Sequence, residues 1–105
     1  MAGFDAGNGK YFMQKGYIGG PHNAKEWIYY TSDAVTTVDG AGYIDDAEVI
    51  DKLDVGDMIW VYQVTDRDDL SKGIVDISVH VVLVNTGSVV NLSDDILGAT
   101  VTYGD

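Results

Sequence analysis

The sequence predicts a mainly β fold in one small domain, either a β-sandwich or a barrel. Three observations support this. Runs of β-branched and aromatic residues recur along the 105-residue chain. Polar turn sequences separate these runs. Only two segments have helical spacing, and both are short and lie in one connection, between the first two core strands. We therefore expect strands to supply most of the core.

Five segments carry the strand pattern. The clearest is 58–64, because both of its faces are largely apolar, which predicts a central position in a sheet. The others are 27–30, 74–85, 89–92 and 99–103. In 74–85 the odd-numbered residues from Val75 to Leu83 are apolar and share one face. The even-numbered Asp76, Ser78 and His80 share the other, which we expect to face solvent or a partner.

The connection between 27–30 and 58–64 predicts two helices and a turn. Thr31 or Ser32 can cap the first helix with a hydroxyl group. Asp45, followed three residues later by Glu48, resembles a capping box at the start of the second helix. The composition of residues 54–57, Asp-Val-Gly-Asp, is typical of a turn that leads into the next strand.

The chain divides into a glycine-rich N-terminal arm, residues 1–25, and a β-rich body, residues 26–105. Glycine weakens regular structure, yet the arm also carries apolar and aromatic side chains that a free linker does not need. Three interpretations remain open: an edge strand or loop packed on its own domain, an extended arm that orders on a neighbouring subunit, or a disordered segment.

Composition excludes several classes of function. The formal net charge of −11 argues against nucleic acid as a direct partner, because phosphate binding needs a basic surface. The absence of cysteine excludes disulfides, thiolate metal sites and thiol redox chemistry. The apolar runs are too short to span a bilayer. The expected protein therefore binds neither nucleic acid nor membrane.

No catalytic or metal-binding pattern is convincing. Asp76, Ser78 and His80 are the residue types of a catalytic triad, but alternate residues of a strand stand roughly 6–7 Å apart, and a nucleophile must approach its base to about 3 Å. Residues 66–69 begin like a calcium loop, but Leu70 and Ser71 follow where an EF-hand needs an oxygen ligand and glycine. His22 and His80 have no obvious third ligand. We expect no cofactor and no metal.

Five aromatic residues near the centre of the chain have two possible roles. They are Trp27, Tyr29, Tyr30, Trp60 and Tyr62. Aromatic rings pack well in cores and at subunit interfaces, because they combine an apolar body with a polar tip in Tyr and Trp. The alternative is a platform that binds carbohydrate by stacking. Core or interface packing is the commoner role.

Residues 27–64, about a third of the chain, resemble a group of small bacteriophage and prophage virion proteins. The resemblance lies in the order of four pieces, Trp27-x-Tyr29-x-Thr31-x-Asp33-Ala34, Thr37-Val38, Gly42-Tyr43-Ile44-x-Asp46-Ala47 and Leu53-x-Val55-Gly56-Asp57-x-Ile59-x-Val61. The family pattern usually has Phe where this chain has Ile44. Such proteins are generally capsid-associated structural proteins, either decoration proteins or head fibres.

The resemblance implies a non-enzymatic decoration or cement protein on the capsid surface of a virion, bound in many copies. Its implied partners are the major capsid protein or other virion proteins, and the implied homo-oligomer is a trimer. The arm would then bridge to the shell or to a sister subunit through Tyr11, Phe12, Met13, Lys15, Tyr17 and Ile18. The alternative is a host-recognition or carbohydrate-binding β-module of a phage fibre or tail.

Overall fold

A computed structural model describes residues 3–19 and 24–96. It contains a mixed five-stranded sheet in which the strands are ordered along the chain. The strands are β1 (Phe12–Gly19), β2 (Ala24–Thr31), β3 (Met58–Val64), β4 (Ile74–Asn85) and β5 (Val90–Leu92). β2 and β3 are parallel, and the other neighbours are antiparallel. The predicted strand 99–103 lies outside the described residues.

Two short helices occupy the long crossover that parallel strands require. They are α1 (Val35–Val38) and α2 (Ala47–Lys52), and both lie between β2 and β3. The predicted mainly β fold, with two helices between the first two core strands, is confirmed. The N-cap of α2 is Asp46, whose Oδ1 accepts the Glu48 amide at 2.9 Å. The capping prediction at Asp45 was therefore one residue early.

The core lies on one face of the sheet. Because Trp27 pairs with Ile59 and Tyr29 pairs with Val61, these four buried side chains share that face. Residues of both helices and of the N-terminal segment, including Ala6, pack against them in one apolar cluster. The described strands form a single sheet, so helices and N-terminal residues supply the second layer that a sandwich would take from a second sheet.

β4 turns two residues of its predicted polar face towards the core, whereas Asp76 is exposed as predicted. The register places His80 opposite Ile59 and Ser78 opposite Val61, so both polar residues lie on the core face. Both are fully buried, whereas Val75 is 60% exposed. The prediction that Ser78 and His80 face solvent was wrong, because hydrogen bonding makes their burial possible.

β1 forms the edge of the same sheet. It pairs antiparallel with β2, from Phe12 opposite Tyr29 to Gly19 opposite Ala24. Register shifts between Gln14 and Gly16 and between Tyr17 and Gly19 mark bulges, which are common on edge strands. Of the three interpretations of the N-terminal segment, the structure shows the edge strand packed on its own domain.

Candidate functional site

Asp57 is the centre of a polar cluster that joins two parts of the fold. Its side chain is fully buried. Its Oδ1 accepts the Lys25 backbone amide at 2.9 Å, and its Oδ2 accepts the Trp27 indole Nε1–H at 3.0 Å and the Asp54 amide at 3.1 Å. The Lys25 ammonium lies 3.2 Å from the same Oδ2. The cluster therefore fixes the start of β2 to the turn before β3.

The charges of this cluster stabilise one another. Burial alone would raise the pKa of Asp57, but the hydrogen bonds from Lys25, Asp54 and Trp27 outweigh it and leave the pKa below its ordinary value. Burial likewise opposes the charge of Lys25, but Asp54 and Asp57 raise its pKa overall. Both groups are ionised at neutral pH, and the cluster acts as a structural ion pair.

A second polar cluster joins β2 to the loop between the helices and to the N-terminal segment. The Tyr43 hydroxyl donates to Asp33 Oδ2 at 2.6 Å and lies 2.9 Å from the Tyr29 hydroxyl. The Gly3 amide donates to the same Asp33 oxygen at 2.9 Å. The Asp33 amide in turn donates to Thr31 Oγ1 at 2.9 Å. Burial, together with the hydrogen bonds to Asp33 and Tyr29, raises the pKa of Tyr43 well above its ordinary range.

These two clusters account for most polar residues of the motif that resembles virion proteins. Trp27, Tyr29 and Asp57 each have a buried role in the fold. The polar atoms of Asp33 and Tyr43 likewise form hydrogen bonds within the chain. These polar residues of the motif therefore serve the fold.

The structure divides the six predicted interface residues into two groups. Phe12 is 4% exposed and stacks on Trp27, with ring centroids 5.1 Å apart. Tyr11 is half-buried and donates its hydroxyl hydrogen bond to Asp68. The Arg67 guanidinium lies over the Tyr11 ring, 3.8 Å from its centroid. Tyr11 and Phe12 are therefore occupied within their own domain.

The other four residues remain accessible along β1. Tyr17 is 69% exposed, Ile18 48% and Met13 37%. Lys15 is also exposed, and within the described residues it makes no ion pair. We call these four residues the β1 edge. Among the described strands β1 pairs with β2 alone, so its backbone forms an edge of the sheet. The register places Met13 beside Ile28 and Tyr17 beside Lys25, so these two side chains lie on opposite faces next to that edge.

The five predicted platform aromatics do not share one surface. Trp27 and Tyr29 lie in the core, whereas Tyr30, Trp60 and Tyr62 lie on the opposite face of the sheet. The rings of Tyr30 and Tyr62 are in contact, with centroids 5.4 Å apart. A single carbohydrate platform built from all five residues is therefore excluded by the register of β2 and β3.

The sheet face opposite the core carries a continuous set of apolar side chains, which we call the aromatic face. It comprises Met13, Ile28, Tyr30, Met58, Trp60, Tyr62, Val75, Ile77, Val79, Val81 and Leu83. Most are half-buried, Met13, Val75 and Leu83 are exposed, and Val79 in the middle of the set is 1% exposed. The sequence signal for this surface is the apolar character of both faces of β3.

Ser78 and His80 are in contact despite their separation along the strand. Ser78 Oγ lies 2.7 Å from His80 Nε2, and His80 Nδ1 lies 2.8 Å from the Ser93 carbonyl oxygen. The spacing argument failed because the imidazole ring leans along the strand and spans the gap between the two Cβ atoms. The contact with Ser93 ties the segment after β5 to β4. Both side chains are fully buried, so a substrate cannot reach the pair.

A small cleft of about 240 Å³ opens between the N-terminal turn and α2. Phe12 and Trp27 form its floor, and Asn8, Asp46 and Glu48 lie along its walls. Asn8 has a positive φ of 56°, a conformation that asparagine adopts more readily than most residues. An aromatic floor with hydrogen-bonding walls can accept a small polar ligand.

Among residues 3–19 and 24–96, no group of three or more His, Cys, Asp or Glu side chains is arranged to hold a metal ion. Asp66 and Asp69 use their carboxylates in local turns, accepting the amides of Asp68 and Ser71. His22 lies outside the described residues. No helix in the described ranges is long and apolar enough to cross a membrane.

No family model, no curated protein and no solved structure matches this chain.

Proposed function

We propose that this chain is a non-enzymatic structural protein of a bacteriophage virion, most specifically a decoration or cement protein bound to the capsid surface in many copies. The resemblance of residues 27–64 to virion proteins supports this proposal. The polar chemistry of the described core agrees with it, because Asp57, Asp33, Ser78 and His80 are engaged in contacts within the chain.

The observation that carries the docking role is the accessible β1 edge. A strand with one free edge can accept an extended segment of another protein by backbone hydrogen bonding. Tyr17 and Ile18 add apolar contact area beside that edge, and Lys15 adds a positive charge to an otherwise acidic molecule. The partner that fits is an extended segment of the major capsid protein with apolar side chains and a nearby acid.

Replacing Tyr17 and Ile18 together with serine is expected to lower co-sedimentation with phage heads by about tenfold, because two exposed anchors are lost. A truncation of residues 1–25 would be a poor test, since it also removes Phe12 from the core. The matched control is the double change of Val84 and Val89 to serine, two residues that are 42% and 43% exposed and lie in β4 and next to β5, at the edge of the sheet opposite β1.

Saturable binding of the unchanged protein at many copies per head is the result that supports decoration. Equal loss of binding in the β1 variant and the control would argue against the β1 edge. Absence of binding by the unchanged, folded protein would argue against the capsid role itself.

The cleft above Trp27 favours a second candidate function, a carbohydrate-binding module of a phage fibre or tail. Asn8, Asp46 and Glu48 are suited to the hydroxyl groups of a sugar, and Trp27, which is 6% exposed, lies beside them. Titration of a broad glycan panel should then change tryptophan fluorescence, and the change should persist in Trp60→Phe but disappear in Trp27→Phe. A flat titration across the panel would count against this function.

A further inference from the structure

We propose that the N-terminal half of β4 is an acceptor for an added strand, and that its occupant is the segment 99–103 of the same chain, which the sequence predicts to be a strand. The acceptor is the backbone of residues 74–78 on the side away from β3, which we call the β4 edge. The inference concerns the sheet itself, so it does not depend on docking to a capsid. It bears on docking in one respect, because a β4 edge that the chain itself occupies is closed to a partner strand.

The first argument is the path of the chain after β5, which runs antiparallel along this side of β4. The Ser93 amide donates to the Val81 carbonyl oxygen at 2.8 Å, and the Ile96 amide donates to the Val79 carbonyl oxygen at 2.8 Å. In return, Ser93 Oγ accepts the Val81 amide at 2.9 Å and Asp95 Oδ1 accepts the Val79 amide at 3.0 Å. The chain therefore arrives at Ile96 beside β4 and runs towards the N-terminal end of that strand.

The second argument is that the β4 edge is unpaired among the described strands. Residues 74–78 pair with β3 on one side, and the pairing of β5 with β4 begins only at Val82. Backbone groups that point to one side of a strand recur at every second residue, so the Ile77 carbonyl points to the same side as that of Val79. Asp76 Oδ1 accepts the Ile77 amide at 2.8 Å. The Ile77 carbonyl is therefore the next acceptor in line for an amide of the chain beyond Ile96.

The third argument is the exposure of apolar side chains along this half of the strand. Val75 is 60% exposed and Ile74 is 42% exposed, whereas Val79, which Ile96 flanks, is 1% exposed. An exposed apolar edge strand can pair with other chains, and natural proteins usually cover or blunt such an edge. A segment of the same chain covers it without recruiting a second molecule.

The fourth argument is the reach and composition of the segment. Val75 lies four residues before Val79, a distance of about 13 Å along the strand, and residues 97–103 span about 23 Å when extended. The entropy cost of closing a loop grows with its length, and this segment starts beside its acceptor, so the cost of pairing is small. Residues 99–103, Ala-Thr-Val-Thr-Tyr, are mostly β-branched or aromatic and carry no charge.

The test is disulfide crosslinking in the full chain, which contains no cysteine of its own. Val75→Cys and Leu83→Cys are matched acceptors, because each lies four residues from Val79, where Ile96 is held. The two side chains are also similarly exposed, at 60% and 55%. A free segment anchored at Ile96 therefore reaches both acceptors equally well, whereas a segment paired with the β4 edge reaches only Val75→Cys.

Each acceptor is combined in turn with Thr100→Cys, Val101→Cys and Thr102→Cys, so that the result does not depend on one register. Opposed residues of antiparallel strands have Cα atoms about 4.5–5.5 Å apart, within the range that a disulfide needs. In dilute protein with oxidised glutathione, the best pair with Val75→Cys should close within one chain about tenfold faster than the best pair with Leu83→Cys, because pairing raises its effective concentration. Intact mass after alkylation of free thiols measures the rates.

A second matched pair repeats the comparison if circular dichroism shows that a variant at position 75 or 83 is unfolded. Ile74→Cys and Val84→Cys each lie five residues from Val79, and both side chains are 42% exposed. The expected preference is for Ile74→Cys, by the same reasoning.

Two results would overturn the inference. Equal rates for the two acceptors of a matched pair, or a faster reaction at Leu83→Cys or Val84→Cys, would show that the segment is not paired with the β4 edge. Disulfides that join two chains in place of closing within one would show that the added strand comes from a second copy.

Discussion

Replacing Asp57 with alanine is expected to lower the free energy of unfolding by about 3–5 kcal/mol, because it leaves buried donors without their acceptor and removes the buried one of the two carboxylates that contact the Lys25 ammonium. The Lys25 side chain is 14% exposed, so water can replace little of the lost contact. The Trp27 indole and two backbone amides lose their acceptor as well. Urea denaturation followed by tryptophan fluorescence measures the change.

Asp54 provides a matched control for Asp57. Both carboxylates contact the ammonium of Lys25, at 2.5 Å for Asp54 and 3.2 Å for Asp57. The Asp54 side chain is 73% exposed and that of Asp57 is fully buried. Exposed ion pairs contribute about 0–1 kcal/mol, so Asp54→Ala should have a small effect. If Asp54→Ala and Asp57→Ala lowered the free energy of unfolding by similar amounts, burial would not explain the role of Asp57.

The contribution of Asp57 should also depend on pH. Its folded-state pKa lies below the ordinary value of 3.8, because hydrogen bonds and Lys25 outweigh the effect of burial. A carboxylate with a lowered folded-state pKa stabilises the fold fully at pH values above its unfolded pKa, and the stabilisation is lost as the pH falls through the folded pKa. The stability difference between the unchanged protein and Asp57→Asn should therefore shrink below about pH 4. A difference that stays constant between pH 7 and pH 3 would contradict this assignment.

Much of the sheet could be predicted from sequence because strand propensity and turn composition are local signals. The bounds of β3 and β4 agree with the predicted segments 58–64 and 74–85. The two helices lie in the predicted connection. These elements combine β-branched and aromatic runs with clear polar boundaries, so each can be recognised without knowing what it packs against.

The orientation of β4 could not be predicted from sequence. Alternation along a strand defines two faces, but only the tertiary partners decide which face enters the core. Ser78 and His80 had the polarity of surface residues, and their burial depends on contacts with each other and with the Ser93 carbonyl oxygen. The contact with Ser93 joins residues 13 positions apart in the chain, so no local pattern contains it.

The candidate docking residues were only partly predictable for a similar reason. Sequence indicated that the N-terminal segment is apolar, but which of its side chains remain accessible depends on the register of β1 against β2. Two bulges shift that register, and Arg67, distant in sequence, holds Asp5 through its guanidinium at 2.9 Å. In this arrangement Tyr17 and Ile18 are exposed to solvent, and Phe12 is buried in the core.

Phe12→Ala is the variant that tests whether this segment belongs to its own domain. It should lower the free energy of unfolding by about 3–5 kcal/mol, the cost of removing a buried phenylalanine from a packed core. Met13→Ala should cost much less, because Met13 is 37% exposed on the other face of the sheet and Phe12 is 4% exposed.

An arm that orders on a neighbouring subunit predicts a different pattern. In that case Phe12→Ala would leave a dilute, monomeric sample as stable as the unchanged protein, and its effect would grow with protein concentration. Urea denaturation at two well-separated protein concentrations therefore decides between packing within the domain and exchange between subunits.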